Sequence, residues 1–216
     1  MPFFTRVKNM QNHHYYSENQ GNLKSNPNSY TFNYKNHKFV FTSDSGVFSK
    51  KYIDFGSYTL IDSFEPKQTE ATLLDVGCGY GPIGITVGTI YSNLKVTMVD
   101  INERAVSLAQ KNIVTNKAQN VNVFKSNIYS EVPEEQKFDY ILTNPPIRAG
   151  KKVIYEIYDG AFKRLNENGE LWVVIQKKQG APSTIKHLED VFGNCTVVSK
   201  EKGYFILKSV RTRIDK

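Results

Sequence analysis

A regular alternation of strands and helices begins at Ala71 and runs almost to the end of this 216-residue chain, and nothing else in the sequence restricts the fold as much. Leu73-Leu74-Asp75-Val76 reads as a short buried strand, followed by a helix over 82–91. A second strand over 94–99 closes on Asp100. An amphipathic helix then spans 102–117, with Ala105, Leu108, Ala109 and Ile113 on one face and Asn102 as its cap. Strands over 121–125, 138–142 and 170–176 alternate with a helix over 152–165, which 166–169 stops. A helix over 182–191 precedes two final strands, 195–198 and 204–207, around Lys202-Gly203. Such alternation implies an α/β fold with a parallel sheet covered on both faces. The last two strands, joined by a turn too short for a crossover, must be antiparallel. Ligands on such sheets bind beyond the carboxyl ends of the strands.

Ahead of the alternation lies a different kind of sequence. Residues 1–70 read as an N-terminal extension packed on or near the active site, and 71–216 as the main domain. The opening is polar and Asn-rich, and irregular structure is expected there. Tyr30, Phe32, Tyr34, Phe39 and Phe41 alternate around Lys35-Asn36-His37-Lys38, the pattern of a β-hairpin with a polar turn. A helix is expected over the second half of 47–64.

Composition narrows the function. No apolar run approaches the roughly 18–20 residues that span a bilayer. The start, Met1-Pro2-Phe3-Phe4-Thr5-Arg6, lacks the pattern of a secretion signal, so a cytoplasmic location is expected and no membrane partner. Cys78 and Cys195 are far apart without a CxxC, which points to reduced thiols rather than a disulfide framework or a metal site. Lys and Arg number 28 against 21 Asp and Glu, a formal net charge of +7. That surplus favours a polyanionic partner. Arg148, Lys151 and Lys152 follow the strongest motif directly, and Lys200, Lys202, Lys208, Arg211, Arg213 and Lys216 crowd the C-terminus.

The first candidate site is Asp75-Val76-Gly77-Cys78-Gly79-Tyr80-Gly81, between a strand and a helix. Alternate glycines let the backbone turn sharply and approach a ligand. Pro82 opens the next helix, whose free N–H groups face the loop. Cys78 and Tyr80 are expected to pack or to present backbone. Asp100, at the tip of the next strand, can accept both hydroxyls of a ribose, or simply cap the helix after it. At the third strand tip, Asn127 can read an adenine edge. Gly79-Tyr80-Gly81-Pro82-Ile83-Gly84 also matches the GxGxxG of nicotinamide and flavin folds, but Asp75 and Gly77 precede it. The whole DxGxGxG resembles motif I of class I methyltransferases.

The second candidate site is Thr143-Asn144-Pro145-Pro146-Ile147-Arg148, at the end of the fourth strand. The prolines fix φ, and the first drives Asn144 out of the helical region. A simple strand-ending loop is the bland alternative. An exocyclic amine on a base is a poor nucleophile because its lone pair is delocalised. The Asn144 side-chain oxygen and the Pro145 carbonyl can each accept one of its N–H bonds and turn the lone pair toward a methyl donor. Positioning and electrostatics then suffice, with no metal required. Asn144, Pro145 and Pro146 are the candidate catalytic residues.

Asp75 to Gly81, Asp100 and Asn144 to Pro146 together resemble class I S-adenosylmethionine-dependent methyltransferases of the small-domain family. Tyr15-Tyr16-Ser17, Phe41-Thr42-Ser43-Asp44-Ser45-Gly46-Val47-Phe48-Ser49, Asp54-Phe55-Gly56-Ser57 and Asn144 to Lys151 look like its bacterial branch, which is similar to the catalytic half of the methyltransferases that modify guanine N2 in small-subunit ribosomal RNA. The resemblance implies a Rossmann-like sheet of seven strands, the last antiparallel, with S-adenosyl-L-methionine as donor and RNA, a ribosomal RNA or ribosomal subunit, as partner. It implies Asp75, Gly77, Cys78, Gly79, Gly81, Asp100, Ile101, Asn127 and Asn144 around the cofactor. On the substrate side it implies Phe48, Ile147, Arg148 and Lys151. Ile147 stands where many relatives carry a stacking aromatic, and Phe48 is the substitute. Adenine and protein-glutamine nitrogens remain alternative targets, as does a non-catalytic RNA-binding module on the same fold.

Overall fold

A computed structural model describes residues 24–47, 52–68 and 70–212. Its hairpin pairs β1 (Asn28–Tyr34) with β2 (His37–Ser43), and α1 (Phe55–Ser63) follows. Then come β3 (Ala71–Val76), α2 (Pro82–Ile90), β4 (Leu94–Asp100), α3 (Glu103–Thr115), β5 (Val121–Lys125) and β6 (Phe138–Thr143). The chain ends with α4 (Lys151–Arg164), β7 (Leu165–Gln176), α5 (Ala181–Phe192), β8 (Thr196–Glu201) and β9 (Tyr204–Val210). Seven strands form one sheet in the order β5-β4-β3-β6-β7-β9-β8. Its pairings are parallel except those of β9, which runs antiparallel to both β7 and β8. This is the Rossmann-like arrangement with an antiparallel last strand.

The central strands read as unbroken apolar runs because both their faces are buried. Along β6 and β7, Tyr140, Leu142, Trp172 and Val174 face one layer, with α1, α2 and α3. Ile141, Leu171, Val173 and Ile175 face the other, with α4 and α5. Sequence reasoning starts the fifth strand at Glu170, whereas β7 begins at Leu165. Phe138 pairs with Leu165 and Tyr140 with Glu170, so 166–169 loop out as an irregularity within the strand.

The hairpin turns on Lys35 and Asn36, both at positive φ (43° and 64°), the mirror-image turn that matches strand twist. Its turn is thus two residues long, shorter than the four-residue polar stretch suggests. Among the described residues the outer edge of β2 has no partner strand; Asn112 of α3 and Asn116, the C-cap of α3, pair with it instead. Asn116 accepts from the Val40 N–H at 2.9 Å and donates to the Val40 carbonyl at 2.9 Å. Four residues earlier, Asn112 does the same for Thr42, at 2.8 and 2.9 Å. Asn112 also donates to the Tyr80 carbonyl at 2.9 Å, so one buried amide joins the hairpin, α3 and the glycine loop. Arg104 and Asn102 fix the chain beyond β2 by donating to the Ser45 and Gly46 carbonyls. The hairpin is thereby built into the same core as the sheet, with Tyr34, Phe39 and Phe41 in it.

Removing this amide leaves the Thr42 and Tyr80 groups unpaired. Asn112→Ala is expected to lower unfolding free energy by about 1–3 kcal/mol in urea titrations. A loss indistinguishable from that of an exposed Lys111→Ala variant would contradict the anchoring role.

Candidate active site

The sheet reverses strand order between β3 and β6: β3 leads outward to β4 and β5, and β6 leads the other way. A crevice opens at the carboxyl ends of such a strand pair. Here β3 ends in the glycine loop and β6 in Asn144-Pro145-Pro146, and the two strands are directly hydrogen-bonded neighbours. Thr143 Oγ1 donates to the Val76 carbonyl at 2.9 Å, tying the two tips together. Beyond them lies a cleft of about 500 Å³.

One wall is the glycine loop. The N–H groups of Gly77 and Cys78 both donate to the Val99 carbonyl, folding the loop over the end of β4. Gly77 and Gly79 have φ of 74° and 58°, and a Cβ on either would stand in open space with no atom within 4 Å. The cradle is therefore open along the backbone. Asp100 accepts from the Gly79 N–H with one oxygen at 2.8 Å and from the Asn102 N–H with the other at 2.9 Å. Each oxygen keeps lone-pair capacity for a further donor. Burial raises its carboxyl pKa, and the N–H groups of Asn102 and Gly79 work against that rise. Burial, with Asp100 and Asp75 nearby, pushes the Cys78 thiol well above its ordinary value. Cys78 therefore stands in the wall as a neutral thiol, its Sγ donating to the Gly79 carbonyl at 3.5 Å.

The opposite wall is the β6 tip. Asn144 Nδ2 donates to Ser57 Oγ at 3.0 Å and to Asp54 Oδ1 at 3.2 Å. A carboxylate only accepts, so the amide nitrogen must face Asp54. The amide oxygen is thereby left to the cleft, which Asn144 lines together with Pro145 and Pro146. Asp54 is also the N-cap of α1, accepting from the Ser57 N–H at 3.0 Å. Gly56 is needed here because any Cβ would lie 2.9 Å from the Tyr204 ring. Tyr204 and Gln176, hydrogen-bonded to each other, complete this wall with Ile147, Arg148 and Gln179.

The expected residues thus separate by position. Gly77, Cys78, Gly79, Asp100, Asn144, Pro145, Pro146, Ile147 and Arg148 line the cleft. Ile101 lines a hollow of about 10 Å³ beside it, with Gly77, Asp100 and Ser126. Asp75 lies fully buried beneath the loop, where its Oδ2 accepts from the Gly84 N–H at 3.0 Å. Gly81, the left-handed N-cap of α2, packs downward: its Cβ would meet Ile85 at 2.8 Å. Asn127 is exposed and Lys151 opens α4; neither is part of the cleft lining. Phe48 falls outside the described residues. Sequence reasoning gave no role to Asp54, Ser57, Gln176 or Tyr204. The Asp-x-x-Ser pattern before α1 signals a helix cap, but nothing local joins it to an asparagine 90 residues away.

A family model described as methyltransferase small domain matches residues 38–208. The chain is 52% identical over 196 residues to the Bacillus subtilis (strain 168) uncharacterized protein YbxB, covering 91% of this chain and 97% of that one. It is 30% identical over 172 residues to ribosomal RNA small subunit methyltransferase C of Escherichia coli O81 (strain ED1a), covering 78% of this chain. It spans only about half of that relative, 48% of its length. Among solved structures, a T. thermophilus 16S rRNA N2 methyltransferase in complex with AdoMet and guanosine superposes with a TM-score of 0.75 at 23% identity. That superposition covers 87% of this chain and 51% of the other, and shows a shared fold.

Asp75 offers a test of the loop's electrostatics. Burial pushes its carboxyl up to about 7, the Gly84 N–H pulling down and Asp100 pushing further up, and its Oδ1 has no hydrogen-bond partner among the described residues. The folded state holds this proton more tightly than the unfolded chain. Its contribution to stability is complete below 3.8 and is lost as pH rises through about 7. Melting temperatures across this window should fall less steeply with pH for Asp75→Asn than for the wild type. Parallel slopes would show that Asp75 ionises normally in the fold.

Proposed function

Because the chain belongs to the methyltransferase small-domain family, we propose that it methylates the exocyclic amino group of a guanine in RNA, with small-subunit ribosomal RNA as the substrate. The observation that carries this reading is the Asn144 amide, held by Asp54 and Ser57 so that its oxygen faces the cleft across from the glycine loop. The family's cofactor, S-adenosylmethionine, supplies a sulfonium-activated methyl group whose transfer to nitrogen leaves a neutral thioether.

The chain's own residues bind and orient. The open backbone of Gly77 and Gly79 takes the methionine and ribose, and the spare lone pairs of Asp100 take the ribose hydroxyls. Ile101 and Asn127 belong to the adenine side, and Asp75 and Gly81 shape the loop from beneath. Asn144 Oδ1 and the Pro145 carbonyl accept the two N–H bonds of the guanine amine, which draws its lone pair out of conjugation and toward the methyl carbon. The proton left on nitrogen after the new bond forms passes to water. Ile147 and Tyr204, which line the same cleft, flank the flat ring, and Arg148 and Lys151 meet its phosphate. Such a base must leave its stack to enter, which single-stranded loops and ends allow at least cost. The 30% identity to a ribosomal RNA methyltransferase supports the choice of substrate.

Asn144→Ala should depress turnover by on the order of 10²-fold or more, measured as labelled methyl transfer to protein-free small-subunit ribosomal RNA. Its affinity for S-adenosylhomocysteine, measured by calorimetry, should stay at the wild-type value. Equal losses in both would overturn the assignment of Asn144 to the reacting amine.

A further inference from the structure

Resting on the RNA reading above, we infer that the turn after β7 and the β8–β9 turn together form a cationic ledge that grips the RNA backbone beside the target nucleotide. The two turns are one unit. β7 delivers Gln176 to the cleft wall, and the chain then makes a single helical turn over Lys177–Gln179 before Gly180 and α5. The Lys177 N–H donates to the Gly203 carbonyl at 2.8 Å, which locks this turn to the tip of the β8–β9 hairpin. Gln179, from the first turn, and Tyr204, the β9 residue that follows the second, both line the cleft.

The cations stand on the outside of that unit. Lys177, Lys178 and Lys202 are all exposed. None of the three is in an ion pair with a carboxylate among the described residues, whereas Lys67, Lys125 and Lys208 are. Lys202, at φ 46°, carries its ammonium 4.5 Å from the centre of the Phe55 ring, the first residue of α1 after the Asp54 cap. Its charge is therefore held at the entrance rather than trailing into solvent. Arg148 lines the same cleft, so a strand entering there meets positive groups from the β6 tip as well as from the ledge.

A polyanion fits this arrangement because only its backbone repeats a negative charge on both sides of an inserted base. Contacts to phosphate set position and affinity without reading sequence. The ledge thus assigns the docking of flanking nucleotides to the antiparallel end of the sheet. The base itself stays with the β3 and β6 tips.

The test is Lys177→Glu/Lys178→Glu/Lys202→Glu against Lys95→Glu/Lys111→Glu/Lys163→Glu, whose lysines are exposed and are not among the cleft-lining residues. The probes are a guanine-containing single-stranded RNA 20-mer for binding and protein-free small-subunit ribosomal RNA for methyl transfer. The ledge variant should bind the 20-mer at least tenfold more weakly than the equal-charge control. Its plot of log Kd against log salt should flatten by about two, roughly 0.7 for each lost contact. KM for the ribosomal RNA should rise while S-adenosylhomocysteine affinity stays constant. If ledge and control variants weaken RNA equally, the ledge is overturned while the RNA reading stands. If the wild type neither binds the 20-mer nor methylates ribosomal RNA, the underlying reading fails and takes the ledge with it.

Discussion

A primary amide has a donor end and an acceptor end of nearly the same shape, and the chemistry of this cleft depends on which end faces inward. Asp54 decides it. Its carboxylate has only lone pairs, so the Asn144 nitrogen turns to it and to Ser57, and the oxygen turns to the cleft. The same Asp54 oxygen caps α1, so the start of that helix and the orientation of the amide are fixed by one group. Prolines on the far side of Asn144 stiffen the backbone, and the Thr143 hydroxyl secures it to the neighbouring strand tip.

The site is consequently assembled from two parts of the sequence. The sheet supplies the glycine loop, Asp100 and the Asn-Pro-Pro tip. The segment before the sheet supplies Val47, Asp54 and Ser57. Its α1 part packs directly on the sheet, while the hairpin that leads to Val47 is anchored, and that anchor is polar. Asn112 and Asn116 stand in for a missing strand along β2, and Asn102 and Arg104 hold the chain just after it. Among the described residues, the edge of β2 is satisfied this way by side chains and not by a further strand.

Much of this was legible in the sequence for physical reasons. Strands buried on both faces appear as short apolar runs, and the glycine loop and the Asn-Pro-Pro tip need residue types that few other structures need. The bounds of β5 are the expected ones, and Asn102 caps α3, accepting from the Arg104 and Ala105 N–H groups. Long-range pairings of polar groups left no such trace. Asn112 and Asn116 sit four apart on an amphipathic helix, where two amides look like a solvated face. Gln176 and Tyr204 fall within strands that read only as strands. Asp75 opens the motif, but that it lies buried at the foot of α2 and accepts from the Gly84 N–H is not written in the motif itself. The early start of β7 was hidden by Asn168, whose positive φ of 62° belongs to a loop inside the strand.

The central claim is that the oxygen of Asn144 and the carbonyl of Pro145 receive the reacting amine directly opposite the methyl donor. A crystal structure of the protein with S-adenosylhomocysteine and guanosine measures this most directly. The account predicts the guanosine amino nitrogen within hydrogen-bond reach of both oxygens, on a line toward the sulfur, with the Asn144 nitrogen still on Asp54. A complex with the cofactor product along Gly77–Gly79 but the guanosine amine turned away from Asn144, or the Asn144 amide reversed, would contradict it.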